Sequence, residues 1–324
     1  MKRKQSFKAV ILAGGSGERF WPLSTPERPK QFLRVFGGES LIRQAVSRLE
    51  GLVATEDIFV VTSRELVRTT RRELPEVPSG NVIGEPLRRD TGAALATGVG
   101  VAGEGVIGFF SSDQMVADEE AFRRTVRQAI ALARRQPKIV TIGIRPDYPA
   151  TCFGYVFPQT GRFVEKPDLQ HARAYVRQGG LWNAGLFIAR AEVFREAFAL
   201  HAPRLGPLAA GSVQPTKAVY AALPKTSFDY AVMERAANVA VIPGDFGWDD
   251  VGSFAAFDRY FPHDSRGNVR EGPCTVVEAD GNICVARSAR ISLLGVKNLV
   301  VVTTPNAVLV AEKSRLSEMK KLFR

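Results

Sequence analysis

Phe7-Lys8-Ala9-Val10-Ile11-Leu12-Ala13-Gly14-Gly15-Ser16-Gly17-Glu18-Arg19 is the stretch that decides the fold. Residues 7–12 form an apolar run of the kind a strand shows when both of its faces are buried in a parallel sheet. The glycines then fall at the carboxyl end of that strand. Ligands of open α/β sheets bind there, and glycine lets backbone N–H groups approach a phosphate closely. The two familiar glycine loops do not fit. A P-loop closes on Gly-Lys-Ser/Thr, whereas this loop runs into Glu18-Arg19, and GxGxxG would need a small residue at Phe20. The stretch therefore reads as a different phosphate loop, or else as a plain tight turn. Its neighbouring cations are Arg19 and Lys30.

Working outward, strands alternate with helices. Ser40 opens a helical segment with Ile42, Ala45, Val46 and Leu49 on one face. Residues 57–62 read as strand, 63–73 as helix and 81–84 as a short strand. Residues 91–103 read as a small-residue helix and 106–110 as a buried strand. Phe122, Val126, Ala129 and Ala133 are in helical register, and 139–144 is strand. This βαβ series predicts an α/β, Rossmann-like domain with a mostly parallel mixed sheet. From Pro146 the pattern is mixed: strand-like 153–157 and 162–165, a helix opened by Asp168, a strand at 186–188, and a loop holding Gly206, Pro207, Gly211 and Pro215. Residues 262–268 are polar and turn-rich, a boundary signal. Short strands follow at 274–278, 283–285, 291–294, 299–302 and 308–310, then a basic helix. The expected domains are 1–262 and a small all-β appendage, 263–324, with no internal repeat evident.

The chain of 324 residues suits one large domain plus a small one. With 45% hydrophobic and 24% charged residues, it is not a disordered polymer. The longest apolar runs, at 106–110 and 299–302, fall far short of a membrane span. The start has too short an apolar stretch for a signal peptide, so a cytoplasmic location is expected. Cys152, Cys274 and Cys284 form no CxxC pair, which suits a reducing compartment and not structural zinc. His171, His201 and His263 are scattered, which argues against a histidine triad. The net charge of +11 is compatible with nucleic acid, a membrane surface or a small polyanion. No Lys/Arg block exists beyond residues 1–4, and no nucleic-acid motif accompanies it.

Lysine usage narrows the choice. No lysine lies between Lys30 and Lys138, in a chain that otherwise prefers arginine. Lysine at Lys30, after Pro29, and at Lys166, in Val164-Glu165-Lys166-Pro167, supplies compact charge for phosphate oxygens. Asp113 follows a buried strand, and Asp245, Asp249 and Asp250 lie in a Gly-punctuated turn. Two carboxylates meeting beside a phosphate loop would hold Mg²⁺, which needs few protein ligands. Together these features suggest phosphoryl or nucleotidyl transfer, which relies on charge neutralisation and positioning more than on a proton shuttle.

Residues 12–33, LAGGSGERFWPLSTPERPKQFL, closely resemble the signature of the sugar-nucleotide pyrophosphorylase family, in its mannose-1-phosphate guanylyltransferase branch. The likeness continues through Gly84-Glu85-Pro86, Arg89-Asp90-Thr91-Gly92, Ser112-Asp113, residues 163–168, Trp182-Asn183-Ala184-Gly185, residues 228–234 and 245–253. Gly267-Asn268-Val269 onward looks like the family's small left-handed β-helical tail. The resemblance implies GTP + α-D-mannose 1-phosphate → GDP-mannose + pyrophosphate, with Mg²⁺. It implies nucleotide binding by Leu12, Ala13, Gly14, Gly15 and Gly17, with Arg19 and Lys30 on the phosphates. Glu85, Asp90, Thr91 and Gly92 would lie by the base, with either Glu85 or Asp90 reading guanine. Gly154, Glu165 and Asn183 would meet the sugar, Lys166 its phosphate, and Asp113 and Asp250 the metal. No nucleic acid or membrane partner is implied, a monofunctional transferase is expected, and the β tail would suit a homodimer interface.

The sequence departs from the family pattern at three points. Ser111-Ser112-Asp113-Gln114 replaces Pro-Ser-Asp-His, Cys152 stands where glycine is common, and Ala184-Gly185-Leu186 replaces Ser-Gly-Met. Two alternatives remain: the same chemistry with another hexose 1-phosphate and nucleotide pair, and a catalytically silent binding subunit.

Overall fold

Strand β1 (Phe7–Ala13) occupies the interior position its apolar run predicts, with Ala9, Val10, Ile11 and Ala13 fully buried. The computed structural model describes residues 6–15 and 17–323; the basic start and Ser16 of the glycine loop lie outside them. Helix α1 (Leu41–Ser47) buries Leu41, Ile42, Ala45 and Val46. Strand β2 (Ile58–Ser63), helix α2 (Val67–Glu73), strand β3 (Val82–Glu85), helix α3 (Asp90–Ala102) and strand β4 (Val106–Ser111) follow in the predicted alternation. β1 pairs in parallel with β2 and β4, and β2 with β3.

Beyond the two-residue strand β5 (Met115–Val116) comes α4 (Glu119–Arg135). Its start is set by Asp118, whose carboxylate accepts from the Ala121 N–H at 2.8 Å. Glu119 and Glu120 lie in the first turn and Arg134 and Arg135 in the last, the arrangement the helix dipole favours. Phe122, Val126, Ala129 and Ala133 are buried, as their spacing predicts. Strand β6 (Ile139–Ile144) matches its predicted bounds.

The mixed region departs further from expectation. Strands β7 (Tyr155–Val156) and β8 (Phe163–Val164) are two residues each, and α5 (Leu169–Arg177) is capped by Asp168. The strand expected at 186–188 is the long β9 (Leu181–Arg190), so Trp182-Asn183-Ala184-Gly185 is strand and not loop. β9 runs antiparallel between β4 and β6. After α6 (Ala191–His201), Gly206 and Pro207 open a short helix, α7 (Gly206–Ala209), where a loop was expected. Proline is tolerated there because a first-turn N–H has no helical partner. Helix α8 (Lys217–Ala222) and strand β10 (Val239–Gly244) complete the sheet, whose order is β10-β6-β9-β4-β1-β2-β3, with β7 and β8 off the edge of β9. A core of Phe109, Phe187, Phe194, Phe198 and Phe228 in tilted and edge-on contacts packs on it.

The chain divides into two compact units, the first reaching Gly14 and resuming at Arg43–Trp248, the second comprising Gly15–Ile42 and Asp249–Arg324. This division interleaves, unlike a single cut at 262/263. The reason is aromatic: within the second unit Phe20 meets Phe254 at 5.3 Å, and Phe36 meets Phe257 at 5.3 Å and Phe261 at 5.9 Å. Strand β11 (Trp248–Asp249) marks the passage between the units in sequence.

The second unit ends in a β-helix-like stack. β12 (Val269–Glu271), β14 (Ile283–Ala286) and β16 (Leu299–Thr304) pair in parallel, as do β13 (Cys274–Val277) and β15 (Ile291–Leu294). β17 (Ala307–Glu312) then pairs antiparallel to β16. The expectation of no internal repeat is corrected here. Asn268 and Asn282 are stacked fourteen residues apart. Asn268 Oδ1 accepts from the Asn282 N–H at 2.9 Å, and Asn282 Oδ1 accepts from the Leu299 N–H at 2.9 Å. Each amide nitrogen donates within the stack, to Ala279 and Val296 carbonyls. The predicted C-terminal helix is a 3₁₀ segment, Lys313–Phe323. No helix among the described residues is long and apolar enough to cross a membrane.

Candidate active site

In the first unit the carboxyl ends of β1 and β3 bring Gly14 over Glu85. A side chain on Gly14 would begin 3.6 Å from Glu85 Oε2. Glu85 is 8% exposed, and its Oε1 accepts from the Tyr220 hydroxyl at 3.1 Å. The Tyr220 hydroxyl in turn meets Thr97 Oγ1 at 2.6 Å. Burial pushes the Glu85 carboxyl up to about 7, against the lowering effect of the Tyr220 hydrogen bond and with the help of Asp90. The sequence offered Glu85 and Asp90 equally as readers of a base. Asp90, exposed and at φ 67°, turns its carboxylate to the Thr91 N–H at 2.8 Å and so opens α3. Thr91 Oγ1 accepts from the Phe228 N–H, and the Gly92 N–H donates to the Thr226 carbonyl, both at 3.0 Å. These two therefore tie α3 to residues 226–228. Leu12 and Ala13 lie inside β1, where their carbonyls accept from the Ser112 N–H and the Thr62 hydroxyl.

Asp113 lies two residues beyond the end of β4 and is half-buried. The Ser112 N–H bonded to Leu12 joins the chain before it to β1. Its neighbour Gln114, which replaces the family's histidine, turns away: its amide donates to the Ala184 carbonyl at 2.9 Å, and its own carbonyl accepts from Arg48 at 3.0 Å.

A third cluster gathers Gly154, Glu165, Lys166 and Asn183, which the sequence grouped as sugar-phosphate residues. Asn183 Oδ1 accepts from Thr141 at 2.8 Å and from the Gly185 N–H at 3.2 Å, which fixes the amide so that Nδ2 donates to Asp229 at 3.2 Å. Lys166 Nζ pairs with Glu165 at 2.8 Å, and the Glu165 N–H donates to Glu234 at 2.9 Å. Burial works against the Lys166 charge, but the Glu165 carboxylate outweighs it and holds the ammonium above its usual range. A side chain on Gly154 would begin 2.6 Å from Glu165 Oε2 and 2.8 Å from the Phe163 ring, so glycine leaves both in place. Asp229 is raised by burial and by Glu165. Asp229, Glu234, Tyr220 and Thr97 were not assigned roles from the sequence. Asp229 and Glu234 lie in a quoted motif, whereas Tyr220 and Thr97 carry no local signal.

In the second unit, Gly17 stands at φ 66°, and a side chain there would begin 2.4 Å from the Lys30 backbone nitrogen, so only glycine fits. Ser24 closes the turn by donating to the Gly17 carbonyl at 2.6 Å. Lys30 is 7% exposed and its Nζ donates to the Asp250 carbonyl at 2.6 Å. A side chain on Gly252 would begin 2.8 Å from Asp250 Oδ2 and 3.3 Å from Nη1 of the exposed Arg19. Gly15 is exposed, with open space around it. Asp249 is held by Arg259 in a bidentate pair, at 2.5 and 2.8 Å, whereas the Asp250 carboxylate lies beside Gly252.

The carboxylates of Asp113 and Asp250 are hard oxygen donors that fit a small divalent cation. Among the described residues, no group of three or more His, Cys, Asp or Glu side chains is gathered as a metal cage. A Mg²⁺ ion that keeps most of its waters does not require one.

The Nucleotidyl transferase family matches residues 8–266, and the MannoseP isomerase/GMP-like beta-helix domain matches residues 272–324. The mannose-1-phosphate guanylyltransferase of Escherichia coli K12 is 34% identical, over 97% of this chain and 72% of its own length. The ManC mannose-1-phosphate guanylyltransferase of Salmonella typhimurium is 34% identical over 99% and 73%. A solved structure from Thermus thermophilus, described as a mannose-1-phosphate geranyltransferase, superposes with a TM-score of 0.89 at 34% identity and covers 98% of both chains.

Proposed function

Since the chain belongs to the nucleotidyl transferase family, and aligns with guanylyltransferases along nearly its whole length, we propose that it makes GDP-mannose and pyrophosphate from GTP and mannose 1-phosphate. The observation that carries the guanine assignment is the buried Glu85 carboxylate beneath Gly14. An anionic carboxylate can accept from both guanine N1–H and the exocyclic amino group, an edge that adenine does not present.

In the reaction a phosphate oxygen of the sugar attacks the α-phosphorus of GTP in line. The bridging α–β oxygen takes the electron pair and departs with pyrophosphate. The open backbone of Gly14, Gly15 and Gly17 cradles the triphosphate. Lys30 and Arg19 offset the charge of the transferred and leaving phosphoryl groups. Lys166 holds the sugar phosphate, while Glu165 and Asn183, backed by Asp229, orient the sugar over Gly154. Asp113 and Asp250 would hold Mg²⁺, whose charge offsets that of the phosphates.

GTP is a cytoplasmic metabolite, and the proposed location is the cytoplasm. Leu294 and Val310, exposed in one groove of the β tail, support a homodimer through that tail, which sedimentation of the purified chain would test.

The reaction is tested by pyrophosphate release with Mg²⁺, GTP and mannose 1-phosphate, against glucose 1-phosphate and the other nucleoside triphosphates. Release confined to the GTP and mannose 1-phosphate pair is expected. Release with another pair would move the specificity, and silence from folded protein would favour a binding subunit.

A further inference from the structure

Glu85 has two oxygens with different surroundings. Oε2 faces the backbone of Gly14, where the base is proposed to lie, and Oε1 accepts from Tyr220. Tyr220, on α8, is fully buried, 135 residues away in sequence, and its hydroxyl is 2.6 Å from Thr97 on α3. A phenol has one proton. If Thr97 donates to the Tyr220 oxygen, the Tyr220 proton is committed to Glu85. Burial and the Glu85 charge both raise Tyr220, so the phenol keeps that proton and serves Glu85 only as a donor.

The direction of this donation matters for base reading. The guanine edge offers two N–H donors side by side. A carboxylate accepts both, whereas a neutral carboxylic acid turns one oxygen into a donor that confronts an N–H. Burial of Glu85 and the nearby Asp90 both favour the neutral acid, and the Tyr220 hydrogen bond opposes them. From this geometry we propose that the Thr97–Tyr220 hydroxyl pair is the positioning device that orients Glu85 and favours its acceptor form, and so sets the preference for guanine. This rests on the reading of Glu85 as the guanine contact.

The test is steady-state kinetics with GTP and with inosine triphosphate, which lacks the exocyclic amino group, from pH 5.5 to 8.5. The chains compared are wild type, Tyr220→Phe, Thr97→Val and Glu85→Gln, each checked for melting temperature. Tyr220→Phe should raise KM for GTP about ten-fold near neutrality, the scale of one hydrogen bond to a charged group. It should move the acid limb of kcat/KM for GTP about one unit to higher pH and narrow the preference for GTP over inosine triphosphate. KM for mannose 1-phosphate should hold. Thr97→Val should act in the same direction with smaller size. A Tyr220→Phe chain that melts normally with an unmoved acid limb overturns the proposal. So does one that loses stability and both KM values together, since that is a packing defect. If Glu85→Gln leaves GTP and inosine triphosphate unchanged, the guanine reading itself falls. If it weakens GTP while Tyr220→Phe and Thr97→Val are silent, that reading stands and this proposal alone falls.

Discussion

Lys30 and Glu85 are buried charges of opposite sign, one in each compact unit, and the protein treats them differently. Lys30 donates to a backbone carbonyl, that of Asp250, an acceptor that has no proton to gain or lose. Glu85 has a side-chain hydroxyl from a distant helix, and its carboxyl is pushed up to about 7. A cation fixed against the backbone suits a constant task, offsetting phosphate charge as bonds change. A carboxyl balanced near neutrality suits a conditional one, accepting hydrogen bonds from a base when that base arrives. The loss of each should register in a different kinetic constant.

The largest effect is expected at Lys30. Lys30→Ala should lower kcat by about 10²–10³, or roughly 3–4 kcal/mol for one preorganised group at a transition state, with an unchanged circular dichroism spectrum. A loss confined to KM for GTP would make Lys30 a second recognition charge and erase the contrast.

Glu85→Gln should act in the reverse sense, on KM for GTP more than on kcat, and it has a signature in stability. The ordinary carboxyl value of 4.5 rises to about 7 in the fold. The folded chain therefore binds more protons than the unfolded chain between those values. Wild-type stability attributable to this group is fully present below about 4.5 and is lost as pH rises through 7. Glu85→Gln removes that dependence. Its gain over wild type should be small at pH 5 and reach about 2–3 kcal/mol by pH 8. Parallel unfolding curves at both pH values would contradict the conditional charge.

Asn282 supplies a neutral reference, a fully buried polar group with its partners in place. Asn282→Ala should cost about 1–3 kcal/mol of stability by orphaning the Leu299 N–H, with kcat and KM of the surviving folded protein unchanged. The smallest effect should come from Asp249→Asn. It weakens a half-exposed pair with Arg259 and is expected to cost less than about 1 kcal/mol. Asp250→Asn should by contrast raise the Mg²⁺ concentration needed for half-maximal rate. Equal metal titrations for the two variants would undo the assignment of Asp250.

What the sequence discloses follows the range of the interactions. β1, β4 and β6 were legible because burial on both faces leaves continuous apolar runs, and α4 because its stripe, cap and terminal charges agree. Gly17, Lys30 and Glu85 were legible through short motifs. Tyr220 and Thr97 were not, since each reads as an ordinary core position and their meeting depends on α8 packing beside α3. β9 was cut short because the apolar run begins only at Leu186, and pairing with β6 extends the strand back through Trp182-Asn183-Ala184-Gly185. Asp250 was named for the metal from the resemblance alone; that its neighbour Asp249 is paired with Arg259, ten residues on, was signalled by no pattern. The stacked asparagines escaped because only two residues, Asn268 and Asn282, share the role, and the next coil meets them through the Leu299 backbone.

That stack has a consequence for how the tail can change. Asn268 hands its side-chain Oδ1 to the Asn282 N–H in the next coil, and Asn282 hands its own to the Leu299 N–H in the one after, so each asparagine ties its coil to the following one. Residues inserted between two such levels would part an Oδ1 from the N–H it accepts, whereas a change outside those levels leaves the ties whole. β17, running backwards along β16, is the stop that ends the series.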